Sequence, residues 1–373
     1  MANPPKLFTP ISLGPITLPN RIMVSPMCQY SACEGNASQW HLVHLGSLAI
    51  SGAGLLCLEA TGVEPEGRIT PGCLGLYSDA NEAALDTVLK TLRATCSIPL
   101  AIQLSHAGRK GSSSAPWEGG GLIGESRGGW LPLAPSPMPQ KPGEAAPREM
   151  TIADIERVVS AFAAAARRAQ RLGFDVIELH MAHGYLMHQF LSPLANRRSD
   201  AYGGSLENRM RFPLEVFERV FAAAGSSMAV GVRISATDWV EGGWDVAQSI
   251  TLCQKLESMG CAFLDVSTAG VSDLQKIPVG PGYQVPFAEE IKREVSIPVI
   301  SVGLITQPRQ AEEIVSTGKA DMVALARAML NNPRWPWTAA AELGGTVIAP
   351  KQYWRCLPAG PGTIFGEIIY GQR

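Results

Sequence analysis

The sequence has no excess of charge of either sign and no long apolar run. Its 373 residues include 31 Lys and Arg against 33 Asp and Glu, which gives a net charge of −2. Without a basic surplus, neither nucleic acid nor an anionic membrane is expected as a partner. The most apolar stretch, residues 45–58, is short and is interrupted by Gly and Ser. It is predicted to form a helix, a loop and a strand rather than a membrane span.

Targeting, metal and dinucleotide motifs are also missing. The N-terminus has no charged and apolar regions of a secretory signal, so a cytoplasmic enzyme is expected. None of the eight cysteines forms a Cys-x-x-Cys pair, which disfavours a zinc ribbon or a dithiol redox motif. Most of the cysteines are expected to be reduced thiols that fill the core. No Gly-x-Gly-x-x-Gly lies at a strand-to-helix junction, so a Rossmann module is not evident.

Short apolar runs of strand length alternate with longer helical patterns. The candidate strands are residues 21–26, 54–59, 99–104, 175–180, 229–234, 262–267, 298–302 and 321–324. Helical patterns follow several of them, and one helix is predicted to begin at Thr151, with Asp154 as its capping partner, and to end at Gly173. This alternation predicts an α/β fold, a closed (β/α)₈ TIM barrel that takes up the whole chain as a single domain, residues 1–373.

Polar residues recur at one parity near the ends of the candidate strands. Glu178 and His180 share one face of the fourth strand, and Gln103 and Arg233 are placed in the same way on the third and fifth. On the seventh strand, Ser301 is assigned to this inward face. Since the active site of a TIM barrel lies at the carboxyl ends of its strands, the pattern favours an enzyme over a scaffold.

A long Gly- and Pro-rich segment, residues 112–148, follows the third strand. It is too long for an ordinary connection and is interpreted as a lid or a subunit contact. A disordered insertion is the alternative, which apolar residues such as Leu122 and Trp130 disfavour.

Three histidines cluster after the fourth strand. His180 ends the strand and His183 follows three residues later, so a turn could bring both imidazoles onto one small acceptor such as a carbonyl oxygen. A metal site that also uses His188 is the alternative, because imidazole is a common ligand. Tyr185 offers a phenol suited to proton donation. The loops after the seventh and eighth strands, which contain Gly303 and residues 326–327, suit a phosphate.

Four motifs, at residues 25–30, 103–110, 178–209 and 327–333, together resemble the Old Yellow Enzyme family of ene-reductases. The resemblance covers nearly the whole chain, and the Cys-x-Tyr of the first motif points to the YqjM-like subgroup. It implies bound FMN, NADPH or NADH as the hydride donor, and reduction of the C=C bond of α,β-unsaturated carbonyl or nitro compounds. A homodimer or homotetramer is also implied.

The resemblance further implies roles for individual residues. His180 and His183 would bind the substrate, Tyr185 would donate the proton, Cys28 would tune the flavin and Tyr30 would contact the substrate. The residues implied to hold FMN are Ser25, Pro26, Met27, Cys28, Ala60, Gln103, Arg233, Gly303, Ala326 and Arg327.

Two matches depart from the family or leave an alternative open. The family usually has Gly where this chain has Ala326, which questions a positive φ there. Arg355 resembles an arginine offered to the neighbouring subunit's active site, and a solvent-exposed arginine is the alternative. For Cys28, a reactive-cysteine hydrolase is disfavoured because no base and orienting group are evident.

Two other functions remain open at this point. One is an FMN barrel dehydrogenase that acts on another substrate, an alternative that no motif in the sequence supports. The other is a flavin-binding sensor without turnover, which would not need His180, His183 and Tyr185 together.

Overall fold

A computed structural model describes residues 4–369 as a closed barrel of parallel strands with helices outside it. The strands are β1 (Ile11–Leu13), β2 (Ile16–Leu18), β3 (Ile22–Val24), β4 (Leu55–Gly62), β5 (Leu100–Ser105), β6 (Leu133–Ala134), β7 (Arg148–Glu149), β8 (Val176–Met181), β9 (Ala229–Ser235), β10 (Leu264–Ser267), β11 (Val299–Ser301), β12 (Met322–Leu325), β13 (Gly360–Thr363) and β14 (Gly366–Ile368).

The helices lie outside the barrel. They are α1 (Gln39–Ala49), α2 (Asp79–Thr95), α3 (Ile152–Arg171), α4 (Leu186–Leu191), α5 (Leu206–Ala224), α6 (Val246–Ser258), α7 (Val285–Glu294), α8 (Pro308–Ser316), α9 (Arg327–Asn331) and α10 (Trp335–Leu343). Short 3₁₀ helices are formed by Lys6–Phe8, Pro65–Gly67, Gly108–Lys110, Pro116–Glu118, Glu125–Arg127 and Lys351–Cys356. Within residues 4–369, no helix is long and apolar enough to cross a membrane.

The barrel strands follow one another in chain order. The circuit is β3, β4, β5, β8, β9, β10, β11 and β12, and β12 pairs with β3 to close it. At least one helix follows each of these strands before the next one begins or the barrel closes. The predicted (β/α)₈ barrel is therefore confirmed, as is the helix, loop and strand expected for residues 45–58.

The sequence signals for α3 act as predicted. The Thr151 hydroxyl accepts a hydrogen bond from the backbone N–H of Asp154, and the Asp154 carboxylate accepts one in return from the backbone N–H of Thr151. This reciprocal capping satisfies backbone donors that the first turn leaves free. After the last turn, Gly173 takes a positive φ of 72° and ends the helix.

The barrel interior is apolar at one end and polar at the other. Near the amino ends of the strands it is filled by Met23, Leu55, Val176, Phe263 and their neighbours, all buried. The β1–β2 hairpin, which was not predicted from the sequence, packs Leu13 and Leu18 onto this cluster. The apolar end is thereby closed, so the chemistry is confined to the carboxyl ends of the strands.

The assignment of the β11 faces was wrong. Ile300 and Val302, expected outside, pack in the barrel interior with Met322, whereas Val299 packs with the residues under the helices. Ser301 has the parity of Val299 and therefore faces the helices. A strand that is apolar on both faces carries no alternation from which its orientation can be read.

The long segment after β5 is folded. β6 and β7 pair in parallel, and the Ser112 hydroxyl donates to the carbonyl oxygen of Ile123 at 2.8 Å. The Trp130 indole N–H donates to the carbonyl oxygen of Glu66 at 3.0 Å. The disordered alternative is therefore wrong, while a role as lid or subunit contact stays a prediction.

Candidate active site

A tight turn after β8 brings the two predicted histidines together. His183 and Gly184 both have positive φ, 58° and 70°, so the chain folds back on the end of the strand. The turn lies against Gly270 in the loop after β10: a Cβ on Gly184 would come within 2.1 Å of the Gly270 carbonyl oxygen, and one on Gly270 within 2.4 Å of the His183 carbonyl carbon. Only glycines allow the two backbones this close.

Hydrogen bonds continue from His180 through His183 to Ser267. Nε2 of His180 and Nδ1 of His183 are 3.3 Å apart, and Nε2 of His183 is 2.8 Å from the Ser267 hydroxyl. The backbone N–H of His183 donates to the Ser235 hydroxyl at 2.9 Å. The rings are nearly perpendicular, with centroids 4.9 Å apart. The two imidazoles therefore present nitrogens to the same small volume.

The partners of each ring restrict its tautomer. Nδ1 of His180 accepts the backbone N–H of Ala182 at 3.3 Å, so the ring proton is on Nε2, the nitrogen that faces His183. Burial lowers the pKa of both His180 and His183 well below the usual value, with the charge of Arg233 as the next cause. Both rings are thus neutral at neutral pH, and each has one N–H to donate.

Tyr185 lies beside this pair. Its ring centroid is 4.9 Å from that of His180, and burial raises the pKa of its phenol well above the usual value. Lys110 ends the 103–110 motif but was not predicted as a site residue. Its Nζ lies 5.5 Å from the centre of the Tyr185 ring and donates to the His183 carbonyl oxygen at 2.7 Å. Burial and nearby cations lower the pKa of Lys110 to about 8.

The third histidine of the sequence cluster has a different task. Nδ1 of His188 accepts the backbone N–H of Gly184 at 2.9 Å, and its Nε2 lies 2.9 Å from the Asp238 carboxylate. Both side chains are fully buried. Since both ring nitrogens are engaged, His188 stabilises the turn that carries His183 and does not join the pair. Residues 4–369 contain no group of three His, Cys, Asp or Glu side chains placed to hold a metal.

Cys28 and Tyr30 lie beyond the end of β3, at a second side of the site. The Cys28 thiol lies next to that of Cys73, and the interaction with this thiol, followed by burial, raises the pKa of Cys28 well above its usual value. Cys28 is therefore a protonated thiol rather than a nucleophilic thiolate. The Tyr30 ring meets Trp117 of the long segment edge to face, with centroids 5.3 Å apart.

Four polar side chains from neighbouring strands meet inside the barrel. The Gln103 amide donates to Oε1 of Glu178 at 2.7 Å, and Nε of Arg233 lies 3.2 Å from Asp265. A β-bulge in β4 shifts the register so that Ala60 pairs with Gln103. Ala60 and Gln103 are thus neighbours, and their contact with the flavin, like that of Arg233, stays a prediction. Asp265 was missed, although its parity on β10 places it inside.

The predicted phosphate loops line a cavity of about 200 Å³ that reaches His183. Gly303, residues 324–328, Ser25 and Arg233 contribute to its wall. Within residues 4–369, the Arg327 side chain forms no ion pair or hydrogen bond, so its guanidinium is available to an anion. Ala326 has a φ of −104°, so the alanine that departs from the family pattern does not take a positive φ here.

Arg355 is not brought to this site. It is exposed on the 3₁₀ helix Lys351–Cys356, next to residues 348–352, which line a separate cavity of about 370 Å³. That cavity also borders Asn20, Gly52 and Pro99, which precede β3, β4 and β5, so it lies at the apolar end of the barrel. Whether Arg355 serves a neighbouring subunit stays a prediction.

Comparisons with known proteins agree with this geometry. A model of the NADH:flavin oxidoreductase / NADH oxidase family matches residues 6–344. The NADPH dehydrogenase of Geobacillus thermodenitrificans is 44% identical over 351 residues, which cover 94% of this chain and 98% of the relative. Morphinone reductase in complex with tetrahydroNAD superposes with a TM-score of 0.75 at 29% identity, covering 92% of each chain. 2-Naphthoyl-CoA reductase in complex with 2-naphthoyl-CoA superposes with a TM-score of 0.81 at 25% identity, covering 90% of this chain and 52% of the other.

The barrel and its polar rim define a flavin-dependent oxidoreductase. The chain belongs to the NADH:flavin oxidoreductase / NADH oxidase family, which confirms the predicted resemblance to the Old Yellow Enzymes. Its cofactors are accordingly FMN and a reduced nicotinamide. The residues present fit FMN, since the cavity is bordered by Arg327, which has no partner among the described residues and suits a phosphomonoester, and by Arg233, which adds a second positive charge.

Proposed function

We propose that this protein is an ene-reductase that reduces the C=C bond of α,β-unsaturated carbonyl compounds, and of nitro compounds with the same polarity. The proposal also takes residues 1–373 as one FMN-binding domain. The observation that carries it is the facing pair of His180 Nε2 and His183 Nδ1, 3.3 Å apart, with Tyr185 beside it. When bound, FMN supplies the hydride that it has received from NADPH or NADH.

The histidine pair would bind and polarise the carbonyl oxygen. His180 already has its proton on Nε2. Without substrate, Nδ1 of His183 accepts the His180 proton; when a carbonyl oxygen replaces His180 as its neighbour, His183 would take its proton on Nδ1 while the Ser267 hydroxyl donates to Nε2, an arrangement that the 2.8 Å contact permits. A carbonyl oxygen that enters between the rings then receives two hydrogen bonds. Because both rings are held in place by neighbouring groups, they stabilise the negative charge that develops on that oxygen with little movement of either ring.

Tyr185 would donate the proton to the carbon next to the activating group. Its phenol is protonated at neutral pH because burial raises its pKa. Lys110 lies over the ring with its ammonium 5.5 Å from the centre, so a positive charge is present to stabilise the phenolate that remains. The two alternatives, another substrate for the same barrel or a sensor without turnover, leave this paired arrangement unexplained.

Two further parts of the site are proposed with the function. Cys28, Ser25, Pro26, Met27 and the residues that line the 200 Å³ cavity would hold FMN, and Tyr30 would contact the substrate. A homodimer or homotetramer would let Arg355 reach a neighbouring site, with the long segment as a lid or subunit contact.

The test is anaerobic stopped-flow of the purified yellow protein with NADPH, NADH and cyclohexenone. Tyr185→Phe is expected to slow flavin reoxidation by cyclohexenone by roughly 10² to 10⁴, the usual range for loss of a general acid, and to leave reduction by NADPH nearly unchanged. Tyr202→Phe, which alters a tyrosine bonded to Glu215 outside the site, should change neither rate. Equal slowing of both half-reactions by Tyr185→Phe would remove its role as proton donor, and no reoxidation by any enone would refute the ene-reductase.

A further inference from the structure

Two carboxyl groups lie inside the barrel behind the side chains that are proposed to face the flavin. Glu178 is on β8 and Asp265 is on β10, and both are fully buried. The strand between them, β9, places Gly231 level with Glu178 and Arg233 level with Asp265. Gly231 contributes no side chain, and the space that a Cβ would need there is filled by the Phe263 ring. The two carboxyl groups lie within hydrogen-bonding reach of each other.

The charges of this cluster do not balance if both carboxyl groups are ionised. Arg233 is the cation in the cluster, and its Nε is 3.2 Å from Oδ2 of Asp265. The other titratable side chains that face the pair, Cys57 on β4 and His180 at the end of β8, are neutral because burial raises the pKa of the first and lowers that of the second. Two carboxylates would leave one negative charge uncompensated in a fully buried position, which costs several kcal/mol.

The hydrogen bonds of the two carboxyl groups also indicate that they are not both ionised. Oε1 of Glu178 accepts the Gln103 amide at 2.7 Å. Oε2 of Glu178 and both carboxylate oxygens of Asp265 are buried and accept no hydrogen bond from residues 4–369. Two ionised carboxylates in contact would repel, and neither could donate. A single proton between them supplies the donor that the contact lacks and removes the surplus charge.

We propose that Glu178 and Asp265 share one proton, so that together they carry one negative charge, which balances Arg233. The effect of this pair on the flavin rests on the proposed function, which places FMN next to Gln103 and Arg233. In that site the two carboxyl groups are positioning residues, because Glu178 orients the Gln103 amide. Their single negative charge also determines how strongly the positive charge of Arg233 acts on the flavin. Glu178 is the protonated member, since burial raises its pKa to about 8 and the Asp265 charge adds to this.

The first experiment detects the proton itself. Infrared spectra of the holoprotein at neutral pH should contain the carbonyl-stretch band of a protonated carboxylic acid, and carboxyl-¹³C glutamate should shift it. Glu178→Gln and Asp265→Asn should each abolish this band, because the carboxyl group that remains is then ionised beside Arg233. Glu215→Gln, which removes a half-buried carboxyl group bonded to Tyr202, should retain it. Absence of the band in the wild type overturns the proposal.

The second experiment measures charge. Each single variant keeps one negative charge next to Arg233, so the midpoint potential of the bound flavin should stay near that of the wild type. Glu178→Gln with Asp265→Asn leaves Arg233 uncompensated and should shift the potential to a more positive value. Single variants that shift it upward by half of the double variant's shift would show that both carboxyl groups are ionised, and would refute the shared proton. Neither the band nor the potential depends on enone reduction, so failure of the proposed function would be recognised separately.

Discussion

The Ser267 hydroxyl is expected to set which nitrogen of His183 carries the proton. It lies 2.8 Å from Nε2 of His183 and is 3% exposed, so water does not readily replace it. Ser267→Ala removes the donor that leaves the proton on Nδ1, where a substrate oxygen needs it. One neutral hydrogen bond contributes about 0.5–1.5 kcal/mol, so a ligand that accepts from both histidines should bind roughly two- to thirteenfold more weakly.

The assay is titration of the holoprotein with a simple phenol, whose phenolate oxygen imitates the polarised carbonyl and changes the flavin absorbance. Ser267→Thr keeps a hydroxyl at the same position and should restore most of the affinity, and ¹⁵N chemical shifts of His183 should report the tautomer directly. Unchanged phenol affinity in Ser267→Ala, with FMN still bound stoichiometrically, would refute the tautomer argument.

Three further outcomes can be measured on the same protein. Arg327→Ala should weaken FMN binding roughly ten- to hundredfold in a fluorescence titration, because a charge-assisted bond of about 1.5–3 kcal/mol is lost, whereas Arg309→Ala should not. Gly270→Ala should lower the free energy of unfolding by at least about 1–3 kcal/mol, because its φ of 105° and close contact are strained for alanine; Gly280→Ala, in open space, should not. In the folded protein the pKa of Glu178 is raised to about 8, against an ordinary value of 4.5. At a pH between these two values, unfolding therefore releases a proton from Glu178. The lowered pKa values of His180 and His183 act in the opposite direction, so the quantity to measure by denaturation is the difference between two proteins. As pH rises through this window, the wild type should lose up to about 1.36 kcal/mol of unfolding free energy per pH unit relative to Glu178→Gln.

The sequence predicts the barrel well because strand and helix periods differ, and each apolar run between helices identified a strand. It predicts the inward face only where polar and apolar residues alternate, as at Glu178 and His180. β11 has apolar residues on both faces, so its orientation could not be predicted. Ser301 was placed inside the barrel, whereas Ile300 and Val302 are the residues that fill the interior there. The β1–β2 hairpin was missed because its strands are only three residues long.

The site was predicted in part for a similar reason. Residues that lie in one motif, such as His180 and His183, can be paired from their spacing. Ser267 and Lys110 reach the same pair from β10 and from the loop after β5, and no spacing in the sequence connects them. Asp265 could have been found, since it is the one charged residue in an apolar strand and has the inward parity. Glu178, its partner across β9, was predicted to face the barrel interior, but nothing in the sequence indicates that the two carboxyl groups meet.

The close contact between Gly184 and Gly270 limits how this enzyme can be redesigned. The loops after β8 and β10 fit together at their main chains, each filling the space that a methyl group would need on the other. Replacing one loop by that of a relative would therefore bring in a backbone path that the other does not match. Grafting experiments that aim at a new substrate range should exchange the two loops as a unit, together with the His188–Asp238 pair that supports the first of them.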